Sequence, residues 1–167
     1  MLGIETGAIY TLEGDELYLG ATTPPLPAQF PGELRRAKLQ DHPHIQAAID
    51  TKAPQYLQDA RKALLSPAEK IVAESRSLVS ILFFPLLLKE SAIGAFIIGT
   101  TREPRQFFDD EIDICHVLSS QSALAITNAK LFQDTQLSIH EITRAYDATL
   151  EGWSHMLDPV SYTHLTL

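Results

Sequence analysis

The sequence predicts an α+β fold in which an antiparallel sheet is flanked by helices and followed by one long C-terminal helix. Three observations carry this. Short runs rich in β-branched and aromatic residues occur in pairs around turn residues. A serine-proline-x-glutamate phrase opens a helical segment. After Asp109 no proline occurs until Pro159, so one helix can run across that whole interval.

Gly7 to Leu12 and Glu16 to Ala21 flank Glu13-Gly-Asp15, where glycine and aspartate suit a tight turn, and they read as a β-hairpin. Pro24, Pro25, Pro27 and Pro31 then deny the chain amide donors and hold their predecessors extended, which makes a loop. Pro43 to Thr51 places Ile45, Ala48 and Ile49 on one helical face, and Pro54 stops that helix. Gln55 to Gln58 is a short strand candidate, and Ser66-Pro67-Ala68-Glu69 caps a helix reaching about Ser75. Leu78 to Leu88 and Ala92 to Thr100 are apolar runs too short for core helices, and with Lys89-Glu90-Ser91 between them they form a central hairpin. Asp109, Asp110 and Glu111 put carboxylates where a helix dipole favours them, and the last helix extends from Asp109 to near Leu157.

Phe132, Ile139, Tyr146 and Trp153 recur every seven residues, with Thr135, Ile142, Thr149 and Met156 three positions after each. That is a heptad seam, for which a parallel homodimeric coiled coil is the simplest partner. The threonines weaken it, and Gly152 costs about 1 kcal/mol relative to alanine inside a helix. A marginal coil suits a switch and equally a plain linker.

Composition narrows the function classes. At 167 residues, with 45% hydrophobic and 20% charged, the chain is sized for one main core. Thirteen basic against 21 acidic residues give a net charge of −8 with no basic run, which argues against nucleic-acid binding. The longest apolar run, Ile81 to Leu88, falls short of the roughly 20 residues a spanning helix needs. The N-terminus carries no export signal, which leads us to expect a cytoplasmic location. The single Cys115 cannot form an internal disulfide.

The order of hairpin, loop, capped helix, central hairpin and long closing helix resembles a GAF domain over about Gly7 to Phe132. The phrases that carry the resemblance are Arg76-Ser-Leu-Val-Ser-Ile81 leading to Pro85-Leu86, then Ile93-Gly-Ala-Phe-Ile-Ile98, Arg105-Gln-Phe-Phe108 with its following acids, and Gln121 to Phe132. It implies a sensor domain, residues 1–132, whose first helix is missing because only Met1 to Thr6 precede the first strand. Thr143 to Trp153 resembles the opening helix of HD-GYP domains, metal-dependent phosphodiesterases acting on cyclic di-GMP. Residues 133–158 are then a coiled-coil linker and the start of a truncated output domain, without its metal ligands. Val160 to Leu167 resembles one frame of a transposon-derived sequencing adapter, so 159–167 are expected to be a non-native tail.

The functional expectation is a regulatory domain that senses a small molecule or partner and transmits the event through the helical linker. The output is a cyclic di-GMP phosphodiesterase or, as a weaker rival, a histidine kinase. The chain itself is expected to be no enzyme and to hold no metal. Ser77, Ser80, Phe83, Tyr10 and Tyr56 are candidate ligand-binding residues, with backbone satisfaction and core filling as their plainer roles. Phe132, Ile139, Ile142, Tyr146 and Trp153 are the candidate dimer and signalling face. The pair Cys115-His116 lies after the central hairpin, unlike the cysteine-histidine pair of bilin-binding GAF domains, and is read as helix packing. Asp41, His42 and His44 are read as a solvated loop rather than a metal site. The cyclic-nucleotide signature of the family is not visible, so the ligand and any cofactor stay unknown.

Overall fold

A computed structural model describes residues 4–26 and 32–161, with the side chains among these except those of 33, 34 and 151–161. Strands β1 (Thr6–Glu13) and β2 (Glu16–Thr23) form the first hairpin around Gly14, whose φ of 64° is the left-handed conformation that the turn requires. A 3-10 turn, Gly32–Arg35, leads into β3 (Arg36–Lys38), a short strand on the outer side of β2 that the sequence pattern did not announce. Helix α1 (Pro43–Thr51) starts on its proline and ends at Lys52, which takes a left-handed φ of 52°. Strand β4 (Gln55–Leu57) and helix α2 (Pro67–Ser75) precede the long hairpin of β5 (Ser80–Leu88) and β6 (Ser91–Thr100). Helix α3 runs over Asp109–Ser161.

The six strands lie in the order β3-β2-β1-β6-β5-β4, every adjacent pair antiparallel. Pro85 sits in β5 beyond the last residue paired to β4, where β5 is flanked by β6 alone and a missing amide donor is tolerated. Alternation along β5 feeds two cores. Ile81 and Phe83 join Tyr10, Leu17, Ile45 and Ala48 on the face carrying α1 and α2. Leu82 and Phe84 join Ile98, Phe107 and Cys115 on the face carrying the start of α3. Cover on both faces is why β5 reads as an unbroken apolar run.

Two departures from the sequence reading have clear causes. The strand expected from Leu78 begins at Ser80, because Leu78 donates its N–H to Ala73 O (2.8 Å) and Ser77 to Glu74 O (3.1 Å), with Ser77 at φ 53°. This is a Schellman closure of α2, with serine in the place glycine usually takes. His42 is buried rather than solvated, because the turn before α1 lies over the sheet and leaves the residue only 5% exposed.

The chain divides into two compact units, residues 1–124 and 125–167, with the division falling inside α3. Within the first, β1 and β6 approach closely at Gly94, where a Cβ would lie 2.0 Å from the Tyr10 carbonyl oxygen.

Candidate functional site

Between the sheet and helices α1 and α2 lies a cavity of about 30 Å³, lined among others by Tyr10, His42, Glu69 and Phe83. That is room for a water or two. Glu69 is its structural anchor, buried to 6% exposure. Its carboxylate accepts from Ser66 N–H (3.1 Å), completing the capping box of α2, and from His44 N–H (2.9 Å) in the first turn of α1. The His44 ring, 2.9 Å from the same carboxylate through Nδ1, stacks on Phe83 with centroids 5.7 Å apart. One carboxylate therefore joins the starts of two helices. Burial pushes the His42 imidazole below its ordinary value, against the pull of Glu69 and Asp41, and pushes the Tyr10 hydroxyl up. At neutral pH His42 is an uncharged donor and acceptor beside an apolar wall.

The five candidate ligand residues fall in three places. Tyr10 and Phe83 line this cavity. Ser77 lines a wider groove at the end of α2. Ser80 and Tyr56 belong to a junction near the start of α3. Tyr56 stands opposite Leu82 in the β4–β5 ladder, on the α3 side of the sheet, and packs edge-on against Phe107 at 5.5 Å.

That junction is built around Arg105, which the sequence reading named only as part of a motif. Ser80 Oγ donates to Gln58 O (2.7 Å) and accepts from Arg105 N–H (2.9 Å). Tyr56 donates its hydroxyl proton to Arg105 O. The Arg105 guanidinium lies 4.8 Å over the Phe107 ring and bonds both carboxylate oxygens of Glu111. Glu111 in turn accepts from Phe108 N–H (3.1 Å), reaching back to cap the first turn of α3. Its hydrogen bond from Arg105 holds its carboxyl below the usual carboxylate range. One serine hydroxyl thus ties the connection after β4 to the connection before α3. Neither contact is local in sequence, and no motif in the chain could have displayed them.

Cys115 is fully buried and its thiol is pushed up by burial, while His116 packs edge-on against Phe84 at 6.1 Å. In the second unit, Phe132, Ile139, Ile142 and Tyr146 are 51–68% exposed. The Trp153 side chain lies outside the described residues, as does the chain after Ser161. Among the described residues no group of three or more His, Cys, Asp or Glu is placed to hold a metal, and no helix is long and apolar enough to cross a membrane.

No family model and no curated protein matches the sequence. Solved structures do match it. A GAF domain/HD domain protein from Geobacter sulfurreducens is 26% identical over 77% of this chain and 84% of that one, with a TM-score of 0.64. The GAF domain of a two-component sensor histidine kinase from Bacillus halodurans is 17% identical over 77% and 85%, with a TM-score of 0.61. The blue-light absorbing form of the PixJ GAF domain from Thermosynechococcus elongatus is 20% identical over 84% of each chain, with a TM-score of 0.59. The last two share the fold.

Proposed function

Because this chain has the fold of a GAF domain, we propose that it is a sensory regulatory domain in which an event on the α1–α2 side of the sheet alters how the start of α3 is held. The observation that carries the reading is the Ser80 hydroxyl, shared between Gln58 O and Arg105 N–H, with Arg105 then fixed to Glu111 in α3. A ligand or partner that moves the connection after β4 changes what Ser80 holds, and so changes the first turn of α3. Only an effector with different affinity for the two arrangements can do this. Hydrogen exchange tests it. Ser80→Ala and Arg105→Ala are expected to raise exchange across residues 109–116 while β1, β2 and β6 keep their protection. Unchanged exchange in that turn would remove the relay.

The finer assignment follows the same order along the chain. Residues 1–132 are the sensor, 133–158 a coiled-coil linker leading into an output domain, and 159–167 a non-native tail. The signalling helix joins two copies through Phe132, at the end of the sensor, and Ile139, Ile142, Tyr146 and Trp153 in the linker. Two supports favour a cyclic di-GMP phosphodiesterase as the output: the Thr143–Trp153 phrase, and the similarity to a GAF domain/HD domain protein. Similarity to the kinase GAF domain supports a histidine kinase less strongly, since it is one of fold. The coding sequence beyond codon 158 decides between them. A His-Asp pair followed by Gly-Tyr-Pro supports the phosphodiesterase, and a kinase domain there overturns it.

A further inference from the structure

The groove at the C-terminal end of α2 has a character its surroundings lack. It encloses about 710 Å³, a volume that suits a small-molecule site, and it lies outside the cavity bounded by α1, α2 and the sheet. Three cations line it, Arg61, Lys70 and Arg102, against one carboxylate, Glu74. Each cation has a carboxylate beside it, Asp59, Glu74 and Glu5 in turn, so in a chain of net charge −8 the groove is a locally neutral patch rather than an acidic one.

The ion pairs of these cations leave them able to take another anion. Lys70 stands 3.8 Å from Glu74, both side chains 67% exposed, an arrangement worth little in water. Arg102 engages Glu5 through Nε at 2.7 Å, with its side chain 87% exposed, and a guanidinium carries five donors. Arg61 is held by Asp59 at 2.9 Å and is 59% exposed. Beside them, Leu64 is 94% exposed, an apolar side chain left wholly in water at the lip of the groove. Leu65 and Leu78 line both this groove and the inner cavity, so apolar side chains form the partition between the two.

We propose that this groove binds a small organic anion with an apolar body, its charged group held by Arg61, Lys70 and Arg102 and its body covering Leu64 against the Leu65–Leu78 partition. Binding itself stands on the groove alone, and only its consequence for α3 rests on the sensory reading. The groove-lining loop begins two residues after Gln58, at Ala60, and Ser80 holds the Gln58 carbonyl, so an occupant is placed to act on that hydrogen bond.

The test uses the whole chain and three probes: 2-naphthoate, its neutral counterpart 2-naphthylmethanol, and inorganic phosphate, each titrated against amide NMR signals. 2-Naphthoate is expected to shift the amides of Ala60 to Leu65 and Ser77 to Val79 saturably. The alcohol and phosphate are each expected to bind at least about tenfold more weakly. Arg61→Glu, Lys70→Glu and Arg102→Glu change exposed side chains, so the fold is retained, and each is expected to raise the naphthoate Kd about tenfold or more. No saturable shift with 2-naphthoate overturns the proposal, as do shifts centred elsewhere, equal binding of the alcohol, or affinity untouched by charge reversal. Saturable, charge-dependent binding that leaves hydrogen exchange at 109–116 unchanged supports the site and counts against the sensory relay.

Discussion

At Glu69 a buried carboxylate accepts backbone N–H bonds from Ser66 and His44 and faces the His44 ring, so its loss takes a hydrogen-bond partner from two helix starts at once, while Ser66 Oγ still caps α2. Hydrogen bonds to charged groups contribute about 1.5–3 kcal/mol each, and Glu69→Ala is therefore expected to cost about 3 kcal/mol in urea denaturation. A loss no larger than an ordinary N-cap deletion, about 1 kcal/mol, would mean the α1 contact contributes nothing. His42 makes a prediction of pH. Its folded value lies below the ordinary 6.5 because burial disfavours the imidazolium, so the unfolded chain binds the proton more readily. Stability is full above 6.5 and declines as pH falls from there toward the folded value. His42→Asn should abolish that decline between wild type and variant, and parallel curves for the two would refute it. At Ser77 the left-handed φ of 53° strains a residue with a Cβ. Ser77→Gly is expected to raise stability by about 0.5–1 kcal/mol, whereas a residue held in that pose by side-chain bonding would lose stability on the same change.

Elements differ in how much of them the sequence displayed, and the difference follows the range of the interactions that make them. The start of α2 was legible because Ser66, Pro67 and Glu69 act on one another within four residues. The β5–β6 hairpin was legible because its apolar runs are continuous, and the long α3 because nothing in it breaks a helix. Strand β3 was not, since Arg36–Lys38 carries no strand pattern and exists through pairing with β2. The site was legible only residue by residue. Tyr10 and Phe83 were singled out and line one cavity, but the contacts that give Ser80 and Tyr56 their place are made to Arg105, 25 and 49 residues away. The Ile93-Gly94 phrase that marked the family resemblance has a steric cause. A Cβ at Gly94 would meet the Tyr10 carbonyl, so Gly94→Ala is expected to destabilise the domain by about 3 kcal/mol through separation of β1 from β6. The β6–α3 connection carries its own pH signature. Glu111 is held below its ordinary 4.5 by Arg105, so its contribution is present above that value and is lost as pH falls through the folded one. The stability difference between wild type and Glu111→Gln should therefore shrink toward zero with acidification, and a difference constant from pH 7 to 3 would place the contribution elsewhere.

For the whole molecule, the question is what covers the second unit. There Phe132, Ile139, Ile142 and Tyr146 are exposed at 68, 51, 67 and 68%, spaced as the seam of a coiled coil. The threonines that seemed to weaken this seam are less damaging than their hydroxyls suggest. Thr135 and Thr149 each donate to the carbonyl four residues back, at 2.8 Å, so neither brings an unsatisfied donor to an interface, and their methyl groups remain to pack. A helix with such an exposed stripe is stabilised mainly by covering it, since helical stability in proteins comes largely from packing an apolar face. A second copy supplies an identical stripe in register, which a parallel pair of helices requires. Sedimentation equilibrium is therefore expected to give twice the chain mass, with a thermal midpoint that rises with protein concentration because folding and association are linked. Burying an isoleucine contributes about 1.5–3 kcal/mol. Replacing Ile139 and Ile142 by aspartate removes two from each chain, and should weaken dimerisation by more than a hundredfold, at roughly 1.4 kcal/mol per factor of ten. The double variant should sediment as a monomer while the first unit keeps its near-ultraviolet signal. A dimer that survives both substitutions would place the interface outside this stripe, and a wild-type monomer at high concentration would leave the helix without the partner its spacing implies.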